Sequence, residues 1–230
     1  MGVSVDTIQS RVAAIVDQDS DTSNISSTDY SLRLSYINRR ERQWSEVGKW
    51  QSLYKEYNTQ TSTASGNTSI ALPTDFRALA GYPKITFDGA TTKEFTEIRG
   101  QEEGRFDPAI NRYVKILGDA ASGHVMVVNS ANADRQLVSG ASIFVSYFKT
   151  PASLASPADS VTCSDPNYLV QGVIADIWEA REDARFQQAK VEANIILQNM
   201  LEREFTPSEA AYNKNVKTTE EVNYGHRWGR

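Results

Sequence analysis

The chain has 230 residues, 40% hydrophobic and 23% charged, with a formal net charge of −5. This composition is typical of a globular protein with one sizeable core, and the negative charge argues against a protein that grips nucleic acid by neutralising phosphates. The one cysteine, Cys163, excludes an intramolecular disulfide and a cysteine-based zinc site.

The N-terminal part, residues 1–48, is predicted to be a helical pair. The first helix carries apolar residues at helical spacing, namely Ile8, Val12, Ile15 and Val16. Ser4 or Asp6 is placed to cap this helix, because short polar side chains accept the free N–H groups of a first turn. A polar spacer then separates it from the second helix.

The second predicted helix carries an apolar stripe along one face. Its members are Tyr30, Leu34, Ile37 and Trp44. Ser27 or Thr28 is placed to begin this helix, and Gly48 is placed to end it. The two helices together account for the whole of the N-terminal part.

Residues 49–150 are predicted to form an antiparallel β-subdomain. Short apolar runs recur there between Gly, Pro, Asn and Asp: WQSLYKEY, TSIALP, YPKITF, KEFTEI, RYVKIL, HVMVVNS and ASIFVSYF. Phe87–Ala90 and Gly118–Gly123 are predicted as hairpin connections, and Pro73–Phe76 as a single helical turn. Pro151 ends the last strand because proline cannot donate to a ladder.

Residues 151–205 are predicted to be a strap followed by a long helix that completes the helical module. Asp165 caps this helix, with Pro166 in its first turn. The apolar positions are Leu169, Val170, Val173, Ile174, Ile177, Trp178, Ala180, Ala184, Val191, Ile195, Met200, Leu201 and Phe205. Some forty residues would reach roughly 60 Å unbroken, so we expect a break between Asp183 and Gln187.

Residues 206–230 are predicted to be a short helical turn, opened by Thr206–Glu209, and an extended tail. The predicted fold class is therefore α+β. A helical bundle from N- and C-terminal helices carries an inserted antiparallel β-subdomain and an extended C-terminal tail. No apolar run approaches the roughly 18 residues of a membrane span, so we expect no membrane segment and synthesis in the cytoplasm.

No combination of residues predicts a catalytic, metal or cofactor site. Gly118–His124 has the glycines of a phosphate loop, but a strand follows it instead of a helix, so a hairpin turn is the better interpretation. The two histidines, His124 and His226, have no metal-ligand spacing. The adjacent acids Glu102–Glu103 and Glu182–Asp183 are typical of solvated faces, and we expect no enzyme activity.

Two groups of residues are candidates for contacts with a partner. Arg39, Arg40 and Arg42 form a basic cluster, which is either a solvated face or a contact with an acidic surface. The tail supplies aromatic and arginine side chains of the kind that anchor interfaces, although a disordered terminus is an equal alternative. Trp44, Trp50 and Trp178 are predicted to belong to the core.

The order of these segments resembles the head–tail connector, or adaptor, proteins of tailed bacteriophages. A helical pair leads to a strand that begins at Trp50. The motif Leu-Pro-x-Asp-Phe follows, here as Leu72, Pro73, Asp75 and Phe76, and the pattern Tyr-x-x-x-Pro-x-x-Leu follows as Tyr147, Pro151 and Leu154. The strap is longer than in that family's pattern, and the segment beyond Phe205 is not part of its shared core.

The resemblance implies a structural virion protein in the neck of the particle, with no cofactor. It would form a dodecameric ring on the portal protein, extend the DNA channel without binding DNA specifically, and hold a tail or nozzle protein. Arg39, Arg40 and Arg42 would contact a neighbouring subunit or the portal. The tail residues that would bind the portal are Val222, Asn223, Tyr224, His226, Arg227, Trp228 and Arg230.

Two other functions fit the same sequence. The β-region could be a sandwich that recognises a glycan or a host protein through exposed aromatic rings, with Trp50, Tyr54, Tyr82 and Tyr113 as candidates. The chain could also be a virion-associated cell-wall hydrolase, because folding can bring any two acids together.

Overall fold

A computed structural model describes residues 2–60, 69–87, 91–98, 113–128 and 141–204. Within these ranges the chain forms two compact units, one built from residues 2–52 and 153–204 and the other from 53–152. The first unit is helical and the second consists of two β-sheets. The predicted α+β fold class is confirmed.

Four helices are described in the helical unit: α1 (Val5–Val16), α2 (Ser27–Val47), α3 (Pro166–Ala180) and α4 (Phe186–Glu204). Helix α3 packs against the other three. The predicted caps Ser4 and Asp165 are confirmed, because each side chain accepts a first-turn N–H. Helix α2 is capped by Ser26, one residue before the predicted position.

The predicted break in the C-terminal helix is confirmed. Helix α3 ends at Ala180, and Glu182 adopts a left-handed backbone with φ of 56°. The Asp183 carboxylate accepts the backbone N–H of Arg185 at 2.9 Å, just before α4 begins. Trp178 is half-buried, and the Arg185 guanidinium lies 4.6 Å from its ring centroid. The turn therefore has its own hydrogen bond and cation–π contact.

The predicted apolar face of α4 is wrong for Val191 and Ile195, which are both exposed. The buried face carries Ala189, Ala193 and Met200 instead. Small residues on a helix face permit close approach to a neighbouring helix, so packing selected the alanines and turned the bulkier residues outward. Ile15 of α1, Ala180 of α3 and Ala184 of the turn between α3 and α4 are likewise exposed, whereas the central apolar positions of α1, α2 and α3 are buried as predicted.

Nine strands are described in the β unit. They are β1 (Tyr54–Gln60), β2 (Ser69–Ala71), β3 (Phe76–Leu79), β4 (Lys84–Phe87), β5 (Thr91–Glu94), β6 (Thr96–Glu97), β7 (Tyr113–Asp119), β8 (Gly123–Val128) and β9 (Ser142–Lys149). In one sheet, β9 pairs with β1 along one side and with β3 and β4 along the other, and β5 pairs with β4. The second sheet has the order β2-β8-β7-β6.

The core of the β unit combines side chains from both sheets. Ile85, Ile143 and Val145 come from the first sheet, and Val114 and Met126 come from the second. Every described strand pair is antiparallel as predicted, except the short parallel pair of β6 with β7. The unit is therefore a small sandwich of two sheets.

Two local predictions in the β unit need correction. Pro73–Phe76 forms one hydrogen-bonded turn, in which the Phe76 N–H donates to the Pro73 carbonyl at 2.9 Å, but it is not part of a helix, because strand β3 begins at Phe76. The run WQSLYKEY starts with a short 3-10 turn, so the strand begins only at Tyr54. The hairpin at Gly118–Gly123 is confirmed, whereas Asp88–Ala90, between the paired strands β4 and β5, lies outside the described residues.

The β7–β8 hairpin gives a sharp prediction. Gly118 has φ of +88°, and a Cβ atom there would lie 2.1 Å from the Gly123 carbonyl oxygen, so we expect Gly118→Ala to cost about 2–3 kcal/mol in the free energy of unfolding. Gly123 has a similar φ of +84° but open space around it, so Gly123→Ala should cost only about 1–2 kcal/mol. Urea unfolding of both variants measures the difference, and equal losses would contradict the steric argument.

Candidate assembly surfaces

The motif residues Asp75, Phe76 and Tyr147 meet at one end of the first sheet. The Asp75 carboxylate accepts hydrogen bonds from the Tyr147 hydroxyl at 2.8 Å and from the Lys55 ammonium at 2.9 Å. The Asp75 carbonyl accepts the Thr150 N–H at 2.7 Å, and Phe76 stacks on the Tyr147 ring with centroids 5.7 Å apart. This cluster ties the turn before β3 to the last residues of β9.

The cluster shifts the titration of both partners. Burial alone would raise the pKa of Asp75, but the hydrogen bonds from Lys55 and Tyr147 outweigh it and lower that pKa. Burial, and then the bond to Asp75, raise the pKa of Tyr147 to about 12. The folded chain therefore favours an ionised Asp75 and a neutral Tyr147.

These shifts predict how the stability of the β unit depends on pH. The lowered pKa of Asp75 stabilises the fold above its unfolded value near about 3.9, and this contribution is lost as the pH falls through that range. The raised pKa of Tyr147 stabilises the fold below about 10, and this contribution is lost between about 10 and 12. Tyr147→Phe removes the hydroxyl that donates to Asp75, so it should lower the free energy of unfolding by about 1–2 kcal/mol at neutral pH. Because phenylalanine cannot ionise, the variant should also lack the loss of stability between about pH 10 and 12. Urea unfolding across the pH range measures both effects, and an unchanged alkaline loss would contradict the assignment.

The remaining motif residues also have structural contacts. Trp50 is buried, stacks on Trp44 with ring centroids 5.0 Å apart, and donates its indole N–H to the Trp44 carbonyl at 2.7 Å. The Leu154 backbone is held on both sides by the Asn38 side chain, at 2.8 and 2.9 Å. Leu72 lies in the core of the β unit, and half-buried Pro151 follows β9. The motif therefore marks residues that fix each unit internally.

Two arginines of the basic cluster on α2 contact one buried acid, Asp176 of α3. Its side chain is 2% exposed. Arg40 donates to both Asp176 oxygens, its Nε at 2.9 Å, and the Nη2 of Arg39 lies 2.7 Å from Asp176 Oδ2. Gly172 makes room for Arg40, because a Cβ there would lie 3.0 Å from the arginine side chain. Burial would lower the pKa of Arg40, but the bonds to Asp176 raise it.

Among the three arginines, Arg39 and Arg42 are the ones that reach the surface. The Arg39 side chain is half exposed and lies over the Tyr36 ring at 5.0 Å, and Arg42 is exposed. Arg40 faces inward. The tail residues of the predicted portal contact, Val222 to Arg230, lie outside the described residues.

The residues named for the other two functions do not form a common site in the described structure. Trp50 and Tyr113 are buried, so of the four aromatic candidates only Tyr54 and Tyr82 have surface exposure. The Asp183 carboxylate accepts a hydrogen bond from the Arg185 guanidinium at 2.6 Å. Burial raises the pKa of the Cys163 thiol, which makes it a poor nucleophile.

Sequence reasoning missed Asp176, although a single acid inside the apolar run Leu169–Ile177 was a usable signal. It also missed Arg33, whose side chain is buried beside Asp17, the residue that follows α1. Among the residues that the structure describes, no cluster of acids, histidines and cysteine is suited to hold a metal ion. None of the described helices is long and apolar enough to cross a membrane.

Together these features define an α+β protein whose polar clusters hold its own elements in place. A family model described as "SU10 adaptor protein" matches residues 3–216. The chain therefore belongs to the SU10 adaptor protein family, a family of phage adaptors, and the resemblance to phage head–tail adaptors is confirmed. Membership makes the chain a structural component of a phage virion. No curated protein matches the chain.

Proposed function

We propose that the chain is the head-to-tail connector of a tailed phage and docks as a dodecameric ring on the portal protein in the neck of the virion. The observation that carries this proposal is the family match over residues 3–216. In this position the ring extends the DNA channel and offers an attachment platform for a tail or nozzle protein. The net charge of −5 suits a channel wall that repels DNA instead of holding it.

The two units suggest a division of labour. The helical module, residues 1–48 with 151–205, would form the body of the ring through contacts between neighbouring copies. The β-subdomain, residues 49–150, would meet the tail or nozzle protein. Residues 206–230 would reach the portal, and the arginines on the surface of α2, Arg39 and Arg42, would add contacts with a neighbour or the portal.

The portal contact is assigned to the tail residues 222–230, which include Tyr224, Arg227 and Trp228. We expect deletion of these residues to abolish co-sedimentation with purified portal rings, while the circular dichroism and melting temperature of the chain stay unchanged. A chain with the same nine residues in scrambled order is the matched control, because it keeps length and charge. If the deleted chain co-sediments as fully as the intact one, the tail does not bind the portal.

A further inference from the structure

Helix α4 presents an apolar ridge to solvent. Val191 is 56% exposed and Ile195 is 54% exposed. Residues four apart lie above each other on a helix face, so the two side chains form one continuous strip. Lys190 and Asn194, both exposed, flank it. We call these four residues the α4 ridge.

A groove between α2 and α3 lies on the same helical unit. It is lined by Asp29, Leu32, Arg33, Tyr36, Ile177, Ala180 and Arg181, the residues we call the α2–α3 groove. Leu32 is 46% exposed on its rim, and the half-buried Tyr36 adds apolar surface. Asp29 contributes a negative charge, and Arg181 contributes a positive one.

The groove contains a buried donor that lacks an acceptor. The Arg33 side chain is only 5% exposed, and its Nη2 pairs with Asp17 Oδ2 at 2.5 Å. Its Nη1 is buried and has no hydrogen-bond partner among the described residues. A buried donor without a partner costs about 1–3 kcal/mol. Because that atom is buried from solvent, the contacts open to a molecule in the groove are the apolar lining and the charges of Asp29 and Arg181.

We propose that the α2–α3 groove receives the α4 ridge of a second copy of this chain. The chemistry matches feature by feature: the pair Val191 and Ile195 covers the apolar lining, and Lys190 meets Asp29. The match in charge and apolar surface favours a copy of this chain over other occupants.

The ridge and the groove are different surfaces of one chain, so their contact is head-to-tail. Such contacts repeat from copy to copy and either close into a ring or grow into a filament. This inference rests on the proposed function, because the portal supplies the template that closes the ring. It identifies the faces by which neighbouring subunits meet.

Charge reversal tests the Lys190–Asp29 contact. We expect Lys190→Asp and Asp29→Lys each to raise by at least about tenfold the concentration that half-saturates purified portal rings, a loss of about 1.4 kcal/mol or more. The double variant, which restores opposite charges, should return to within about threefold of wild type. A double variant no better than either single one would overturn the proposal.

Apolar substitutions test the direction of the contact. We expect Leu32→Glu and Ile195→Glu each to bind portal without filling the ring, whereas Leu117→Glu, at an exposed apolar position in the β unit, fills it as wild type does. Leu32→Glu keeps an intact ridge and Ile195→Glu keeps an intact groove. A mixture of the two variants should therefore place pairs of linked copies on the portal, because the ridge of the first fits the groove of the second. Native mass spectrometry counts the copies, and circular dichroism checks that each variant is folded.

The outcomes separate this inference from the proposed function. If wild type fills the ring and Ile195→Glu or Leu32→Glu fills it equally well, the connector function stands and the ridge-to-groove contact is wrong. If Ile195→Glu alone fails, the ridge meets the portal or another partner, and the groove assignment is wrong. If wild type itself never binds the portal, both proposals fail.

Discussion

Asp176→Ala is expected to lower the free energy of unfolding of the helical unit by about 3–5 kcal/mol. The Asp176 side chain is 2% exposed and forms ion pairs with Arg39 and Arg40. The Arg40 side chain is only 16% exposed and lies against Gly172, so little water reaches it. The variant therefore leaves a buried cation without its counter-charge, which costs more than the pair itself contributes.

Urea unfolding followed by helical circular dichroism at neutral pH measures this loss. Glu94→Ala is the control, because it removes one partner of the exposed ion pair with Lys84 in the β unit and should cost only about 0–1 kcal/mol. Arg39→Ala should cost less than Asp176→Ala, since Arg40 still holds the acid. Similar small losses for Asp176→Ala and Glu94→Ala would show that the buried cluster does not stabilise the unit.

Trp44→Ala is expected to have an effect of the same size, about 3–5 kcal/mol. Trp44 is fully buried, and its ring stacks on Trp50 at 5.0 Å with an interplanar angle of 20°. Its removal opens a cavity in the helical unit and leaves the Trp50 ring without its neighbour. The indole N–H of Trp44 has no acceptor among the described residues, so shape, and not hydrogen bonding, determines the cost.

That distinction gives a matched pair of variants. Trp44→Phe keeps a buried aromatic ring and loses the unpaired donor together with part of the indole volume, so it should cost less than Trp44→Ala. Trp50→Phe removes a donor that is bonded to the Trp44 carbonyl at 2.7 Å, so it should cost more than Trp44→Phe. Tryptophan fluorescence and urea unfolding follow both. The reverse order of the two phenylalanine variants would contradict the hydrogen-bond assignment.

Local patterns in the sequence predicted the elements well where local physics decides them. Asp165 followed by Pro166 specifies a helix start, and the structure begins α3 there. Gly118 and Gly123 favour a hairpin, because glycine readily adopts the positive φ that both residues have in the structure. The helix break was predictable because some forty unbroken residues would exceed the size of a compact unit.

Contacts between distant segments decided what the sequence did not predict. Val191 and Ile195 have helical spacing, but α4 buries Ala189 and Ala193, and an apolar pattern cannot tell a core from an interface. The sequence of the turn before β3 is typical of a helix start. The residues after it form a strand because they pair with β9, about seventy residues later in the chain. The motif residue Asp75 was recognised, but its bond to Tyr147 required the fold.

Electron microscopy of purified portal rings mixed with this chain tests the central claim most directly. The account predicts that portal particles gain one closed layer of extra density, with an open central channel and a helical body made of neighbouring copies. Portal rings that look the same with and without an excess of the folded chain would contradict the connector function.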